Sequence, residues 1–232
     1  MNSYRRTAIV VGALFILSTL TCALSVYVYG DILESADFLT DYLRNENRII
    51  FGTMLELICA GAFVGVSISI FPVLSFFGKR YAIGYLIGRS FEAVPFIISI
   101  ISTLSLLTLS QQVVQAGSIN PNLYLVSGAV LQALRHWANL FGPLIFCGFA
   151  ALPFYYVLWQ SNLVPRFLSM WGLIGTVLYL IAGFLGFWGI TTASSVLPVI
   201  LIVPFAVNEM VLAVWFIVKG FNLSRVPSST AT

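Results

Sequence analysis

Long apolar stretches alternate with short polar segments along the chain. Six stretches of about 20 residues or more are continuously apolar, a pattern typical of membrane-spanning helices and not of barrel strands. They cover residues 7–29, 49–71, 81–109, 138–159, 170–190 and 196–218. The pattern predicts an all-α, polytopic membrane helix bundle with six transmembrane helices, forming a single domain over 1–221 with a short tail over 222–232.

The composition of the 232 residues agrees with this prediction and excludes several classes of function. Only 8% of residues are charged, 59% are hydrophobic and the mean hydropathy is +0.99, whereas a soluble domain carries about 25% charged residues. These values exclude a soluble enzyme and a nucleic-acid binder, and they make the lipid bilayer the main partner. The three cysteines are scattered in apolar stretches and the chain has one histidine. We therefore expect no metal, no other cofactor and no enzymatic activity.

Basic residues indicate how the helices are oriented. With the N-terminus in the cytoplasm, the inner segments hold seven cations: Arg5, Arg6, Lys79, Arg80, Arg166, Lys219 and Arg225. The outer segments then hold three, Arg44, Arg48 and Arg135. Because loops rich in Lys and Arg stay inside, both termini are expected in the cytoplasm and the protein in the cytoplasmic membrane (inner or plasma membrane).

The two long outer loops are each expected to contain a short interfacial helix. In the first loop, 31–48, the apolar residues Ile32, Ala36, Leu39 and Leu43 recur at helical spacing, which predicts one amphipathic helix. In the second loop, Asn120 and Pro121 form a helix-start signal. It predicts a separate helix over 121–134, with Arg135, His136 and Trp137 at the membrane boundary.

Four ionisable residues fall inside the predicted spans: Glu56, Arg89, Glu92 and Glu209. Each lies roughly 12–22 Å from the cytoplasmic end of its span, counted at about 1.5 Å per residue. An unpaired charge there costs about 2.5–3.5 kcal/mol or more, so we expect the four to gather in one layer. The proposed polar site adds Asn208 and Asn139 as hydrogen-bonding partners, with Asn139 near the outer mouth, and it also includes His136.

This cluster leaves more than one function open. A proton-coupled or small-solute transporter, or a ligand-binding protein, would use such a site, and so would a buried network that only holds helices together. The alternative function is a non-catalytic membrane sensor or partner subunit that uses the acidic outer loop or the basic Pro165–Arg166 loop as its surface. A cavity reaching the glutamates would favour transport, and a tightly packed layer would favour the partner function.

Several segments together resemble the bacterial integral-membrane family catalogued as domain of unknown function 4386. They are Glu56-Leu57, Gly88 to Ala93, Arg135 to Ala138, Gln160 to Ser169, Gly172 to Gly175, and Asn208-Glu209 with Trp215 and Lys219 to Phe221. The resemblance extends over roughly 6–221 and implies a multi-pass helical fold without an assigned activity. The family often has an acidic residue after Arg135, where this chain has His136.

Overall fold

The computed structural model describes residues 3–35, 37–116, 121–191 and 195–222, and these residues form helices joined by short connections. The helices are α1 (Ser3–Tyr29), a 3₁₀ turn (Gly30–Glu34), α2 (Phe38–Arg44), α3 (Glu46–Ala116), α4 (Pro121–Asn139), a π-helical segment (Leu140–Phe146), α5 (Cys147–Ser161), α6 (Arg166–Phe187) and α7 (Val196–Val218). Of the predicted tail, 222–232, only Asn222 lies within the described residues.

Five helical stretches are long and apolar enough to cross a membrane, which makes the protein a polytopic membrane helix bundle. They are Ser3–Leu33, Glu46–Val113, Tyr124–Ser161, Arg166–Phe187 and Val196–Val218. Their outward faces carry large apolar side chains, and Val196 and Ile200 are 70% and 61% exposed. Such a surface is stable in lipid and not in water. The number of crossings and their orientation stay predictions.

Helix α3 is a hairpin of two arms. Its 71 residues would measure about 105 Å if straight, far more than the roughly 30 Å of bilayer hydrocarbon. At Gly78 the backbone leaves the helical conformation (φ 169°, ψ 90°), which divides α3 into a first arm, 46–77, and a second arm, 79–116. The predicted spans 49–71 and 81–109 lie within these arms.

The two arms of α3 lie antiparallel against each other. Near their free ends the Gln111 amide donates a hydrogen bond to Glu46 over 3.1 Å. Farther along, the rings of Phe63 and Phe96 meet edge to face with their centroids 5.7 Å apart. If each arm crosses the bilayer once, the five long helical stretches account for six crossings.

The helix over residues 121–161 is continuous, which corrects the prediction of a separate interfacial helix over 121–134. It begins at Pro121 as the start signal predicts, although Asn120 lies outside the described residues. It passes from α4 through the π-helical segment into α5 without a break at Arg135. At the end of the π-helical segment the Cys147 amide bonds the Gly142 carbonyl, five residues back, and the Pro143 carbonyl accepts a hydrogen bond from the Tyr179 hydroxyl at 2.8 Å.

The first outer loop contains two short helices instead of the one predicted over 31–48. The chain is extended at Ser35 between the 3₁₀ turn and α2, and Ala36 lies outside the described residues. The buried side chains of this loop are Ile32, Phe38 and Tyr42, and they form a small apolar core with the two arms of α3. Ile32 belongs to the predicted apolar face and is buried as expected, Leu43 is half-buried, and Phe38 and Tyr42 are buried without having been predicted.

The bundle has two chemically different ends. At the first, Arg5 donates hydrogen bonds to the last carbonyls of α7, and the Asn222 amide bonds Leu163 at 2.9 Å. We call this end, with the Gly78 turn, the basic end. At the opposite, acidic end, the 3₁₀ turn and α2 pack over the start of α3, where Arg48 bonds the Val28 carbonyl at 3.1 Å.

Candidate functional site

Arg89, on the second arm of α3, holds two carboxyl groups from two helices. Its guanidinium lies 2.8 Å from Glu92, one turn along the same arm, and 2.9 Å from Glu209 on α7. The side chains of Arg89 and Glu92 are 1% exposed, whereas that of Glu209 is 15% exposed. The structure therefore brings together three of the four charges that the sequence places in one layer. We call this group the Arg89 centre.

The remaining surface of Arg89 is covered by aromatic rings and weak acceptors. Its Nε donates to the Tyr85 hydroxyl at 3.3 Å, and Nη1 approaches the Cys147 sulfur at 3.5 Å. The rings of Phe15 and Phe63 lie 5.8 and 5.1 Å from the guanidinium carbon, within reach of cation–π attraction. All three guanidinium nitrogens have partners, supplied by the second arm of α3, α5 and α7, and the two rings add contacts from α1 and the first arm of α3. The centre thus ties most of the bundle together.

Glu56 does not join this centre, and the expected single layer is wrong in this respect. Glu56, on the first arm of α3, accepts a hydrogen bond from Arg135 of α4 at 3.0 Å. Arg135 also donates to the Ser99 hydroxyl at 2.8 Å and to the Thr103 hydroxyl on the second arm. Ser99 is ten residues beyond Arg89 on that arm, so this Arg135 centre lies about 15 Å nearer the acidic end.

Arg135 is the functional candidate that the sequence analysis missed. It was placed at the membrane boundary, yet only 8% of the residue is exposed. A signal for it was present in the charge count, because one intramembrane arginine leaves two of three carboxyl groups without a cation. Arg135 was the nearest remaining arginine, since it follows the apolar Leu134 and lies three residues before the start of the predicted span 138–159.

Three buried polar atoms near Arg135 have no hydrogen-bond partner among the described residues: the hydroxyls of Tyr29 and Tyr42 and Oε2 of Glu56. The Tyr29 ring covers the Arg135 guanidinium, with the ring centroid 5.0 Å from Cζ. Its hydroxyl lies beside the Glu56 carboxyl group, although the two groups do not meet the distance and angle of a hydrogen bond. Burial raises the pKa of Tyr42 to about 12, and Arg135 and Glu56 are the charges that act on it. Unpaired buried polar atoms are uncommon in native proteins.

The arrangement of Tyr29 depends on a glycine. A Cβ atom on Gly52 would lie only 2.5 Å from the Tyr29 ring, so a side chain at this position would displace the ring. Gly52 is one helical turn before Glu56 on the same face of the first arm. This close approach sets the Tyr29 hydroxyl beside the Glu56 carboxyl group.

A second group of unpartnered polar atoms lies between α5, α6 and α7. It consists of the Tyr155 hydroxyl, Oγ of Ser169 and Oδ1 of Asn208. Asn208 was predicted to support the glutamate cluster, but its amide donates to the Leu168 carbonyl at 3.0 Å instead. Asn208 and Glu209 are neighbours on α7, so their side chains point in directions about 100° apart.

The other two predicted site residues lie outside both centres. His136 is exposed and meets the Trp137 ring edge to face, with 5.6 Å between centroids. Asn139 is half-buried, and its side chain makes no hydrogen bond within the part of the chain that the structure describes. Within the same residues, no three His, Cys, Asp or Glu side chains converge as metal ligands would.

Neither centre lines any of five surface cavities formed by the described residues. The largest, about 560 Å³, opens at the basic end between the α5–α6 loop and the end of α7. A second, of about 470 Å³, opens at the acidic end between the 3₁₀ turn and α2, beside Asp31 and Asp41. The Arg89 centre is buried, apart from the partial exposure of Glu209.

A family model matches nearly the whole chain. The family is described as Domain of unknown function (DUF4386), and its model covers residues 10–220. The chain belongs to this family. No curated protein and no solved structure matches the chain. The match confirms the resemblance noted in the sequence and places both Arg–Glu centres inside the family domain.

Proposed function

We propose that the protein is a proton-coupled carrier of a small polar solute, with the solute bound at the Arg135 centre. The observation that carries this proposal is the set of three unpartnered polar atoms on Tyr29, Tyr42 and Glu56. Leaving a buried polar group without a partner costs about 1–3 kcal/mol, so their clustering favours a role in binding. A solute that donates hydrogen bonds would satisfy the free Glu56 oxygen and both hydroxyls.

The proton would bind at the Arg89 centre. Two carboxyl groups share one guanidinium there, so the centre is electrically neutral only when it holds one proton. Glu209 is the more exposed of the two acids, and it would exchange that proton with the surroundings. Both centres contact the second arm of α3, which would therefore couple solute binding to proton binding.

Glu92→Gln tests the proton coupling directly. The protein is reconstituted in liposomes with an inward proton gradient, and solute-induced currents are recorded for amino acids, small amines and sugars. We expect a current with the wild type, none with Glu92→Gln, and an unchanged current with Glu46→Gln, which alters an acid at the acidic end instead. A Glu92→Gln protein that folds and carries the full current would refute the proposal.

A second function, a non-catalytic sensor or partner subunit, is favoured by one specific observation. Arg89 and Glu92 are buried and line neither of the cavities at the two ends of the bundle, and a tightly packed layer is the outcome expected for a protein without a transport pathway. On this alternative, mild solubilisation should yield a second protein in fixed stoichiometry. Isolation of the chain alone under the same conditions would weigh against it. Neither proposal assigns the protein an enzymatic reaction.

A further inference from the structure

A cavity at the basic end is lined by two cations. It has a volume of about 560 Å³ and is enclosed by the α5–α6 loop on one side and the end of α7 on the other. Its polar and aromatic lining consists of Asn162, Arg166, Trp215, Lys219 and Asn222. The side chains of Arg166 and Lys219 are both exposed. The cavity is unrelated to the Arg89 and Arg135 centres.

No acidic residue lies near this cavity to balance its charge. The chain has eight acidic residues: Asp31, Glu34, Asp37, Asp41, Glu46, Glu56, Glu92 and Glu209. The first five belong to the acidic end, and the last three are the carboxyl groups of the two buried centres. A cavity with charges of a single sign concentrates the opposite charge from its surroundings. The positive charges of this cavity therefore attract an anion.

The helix ends around the cavity reinforce this preference. Helix α6 begins at Arg166, and its first bonded amides, those of Leu168 and Ser169, share the Pro165 carbonyl. The amides of Arg166 and Phe167 precede these bonds, so they are left for an anion at the positive end of the helix.

The negative end of α7 would oppose an anion, but Arg5 neutralises it. Arg5 donates to the carbonyls of Phe216, Ile217 and Val218 at 3.3, 2.6 and 3.1 Å. Its guanidinium also lies against Gly220, which lines the cavity in the left-handed conformation (φ 75°). A Cβ atom at Gly220 would lie 3.0 Å from Arg5 Nη1. The glycine thus lets a third cation approach the cavity.

We propose that this cavity binds the phosphate group of an anionic phospholipid from the leaflet at the basic end. A lipid fits better than a soluble phosphate because apolar side chains beside the cavity face outward. Phe167 is 64% exposed and Val218 is 61% exposed, and they would contact the acyl chains. Trp215 is half-buried in the wall, as is typical of tryptophan at headgroup depth. Basic pockets on the cytoplasmic side of membrane proteins bind such headgroups.

The test compares two double variants that each remove two charges from the basic end. Arg166→Gln/Lys219→Gln changes the cavity, whereas Lys79→Gln/Arg80→Gln changes exposed residues just after the Gly78 turn that do not line it. Native mass spectrometry of the full chain in detergent measures binding of dioctanoyl phosphatidylglycerol, dioctanoyl phosphatidylcholine and inorganic phosphate. If the cavity variant is not recovered folded, Lys219→Gln alone replaces it.

We expect the wild type to bind one phosphatidylglycerol in preference to phosphatidylcholine. The cavity variant should bind it at least about fivefold more weakly, and the control variant within about twofold of the wild type. An equal loss in both variants would overturn the proposal, because a diffuse charge effect would then explain binding. Equal affinity for phosphatidylcholine would overturn it too. Inorganic phosphate binding as tightly as the lipid would overturn the assignment to a lipid.

Discussion

The Arg89 and Arg135 centres are both buried Arg–Glu pairs that contact the second arm of α3, yet they differ in how completely their polar atoms are paired. At the Arg89 centre every guanidinium nitrogen has a partner, and two carboxyl groups come from different helices. At the Arg135 centre one carboxyl oxygen and two tyrosine hydroxyls have none. The difference suggests that the first centre holds the bundle together and the second is available to a ligand.

Their positions in the fold agree with this division. Arg89 lies among five helical segments and is stacked against the aromatic core, in which the Tyr85 and Phe154 rings are 4.6 Å apart. Arg135 lies nearer the acidic end, beneath the short helix α2 with its buried Tyr42. A short helix between two connections can move at lower cost than a bundle core. The predictions below use this contrast, beginning with the largest expected effect.

Replacing Arg89 with methionine should have the largest effect of any change in the two centres. It leaves Glu92 and Glu209 buried without a cation, and breaking a buried ion pair costs about 3–5 kcal/mol. We expect little folded protein by size-exclusion chromatography after detergent extraction. Adding Glu92→Gln and Glu209→Gln to the same variant should recover folded protein, because the uncompensated charges are removed. Normal recovery of Arg89→Met alone would show that this centre does not hold the helices together.

Arg135→Met should destabilise the protein less than Arg89→Met. It leaves one buried carboxyl group without a cation, instead of two. We therefore expect the free energy of unfolding to fall by about 3 kcal/mol, the lower end of the range for breaking a buried ion pair. In a protein of this size that lowers the thermal midpoint by roughly 6–12 °C. Glu56→Gln in the same chain should restore most of the loss. If Arg135→Met is the more damaging of the two, the proposed division of roles is reversed.

The contrast between the centres also separates what the sequence could predict from what it could not. Arg89 and Glu92 are three residues apart in a helix, so their contact follows from helical geometry. The energetic cost of burying an unpaired charge predicts that Glu209 lies beside them. The Arg135–Glu56 pair joins residues 79 apart on different helices. A helix fitted to the bilayer thickness cannot hold all of 121–161, and dividing this range at Arg135 removes that residue from the interior.

A tertiary contact explains why the helix over 121–161 is continuous. Phe38 of α2 packs directly on Gly128, where a Cβ atom would lie 2.2 Å from its ring. The face of α4 at Gly128 is therefore covered by protein, and the helix continues past Arg135 without dividing. A sequence pattern records which residues are apolar, but it does not record which segment covers them.

Removing the unpartnered hydroxyls should stabilise the protein in the absence of ligand. Tyr29→Phe and Tyr42→Phe each eliminate a buried hydroxyl without a hydrogen bond, so we expect a gain of about 1 kcal/mol, or roughly 2–4 °C in the thermal midpoint. Tyr179→Phe is the matched control, because its hydroxyl donates to the Pro143 carbonyl at 2.8 Å. That variant should lose a similar amount. Equal destabilisation by all three would mean that the two hydroxyls are paired in the membrane.

The smallest effect is expected from the Gln111–Glu46 hydrogen bond, which joins the same two arms of α3 near their free ends. The side chains meet at 3.1 Å and are only partly buried, so water can replace either partner. We expect Gln111→Ala to change the free energy of unfolding by about 0.5 kcal/mol or less, measured by thermal unfolding in detergent. This hydrogen bond and the two centres are polar contacts of α3 at three different depths in the bundle. Their contributions to stability can therefore be compared. If Gln111→Ala costs as much as Arg135→Met, depth in the bundle does not set the strength of these links, and the contrast between the two centres needs another cause.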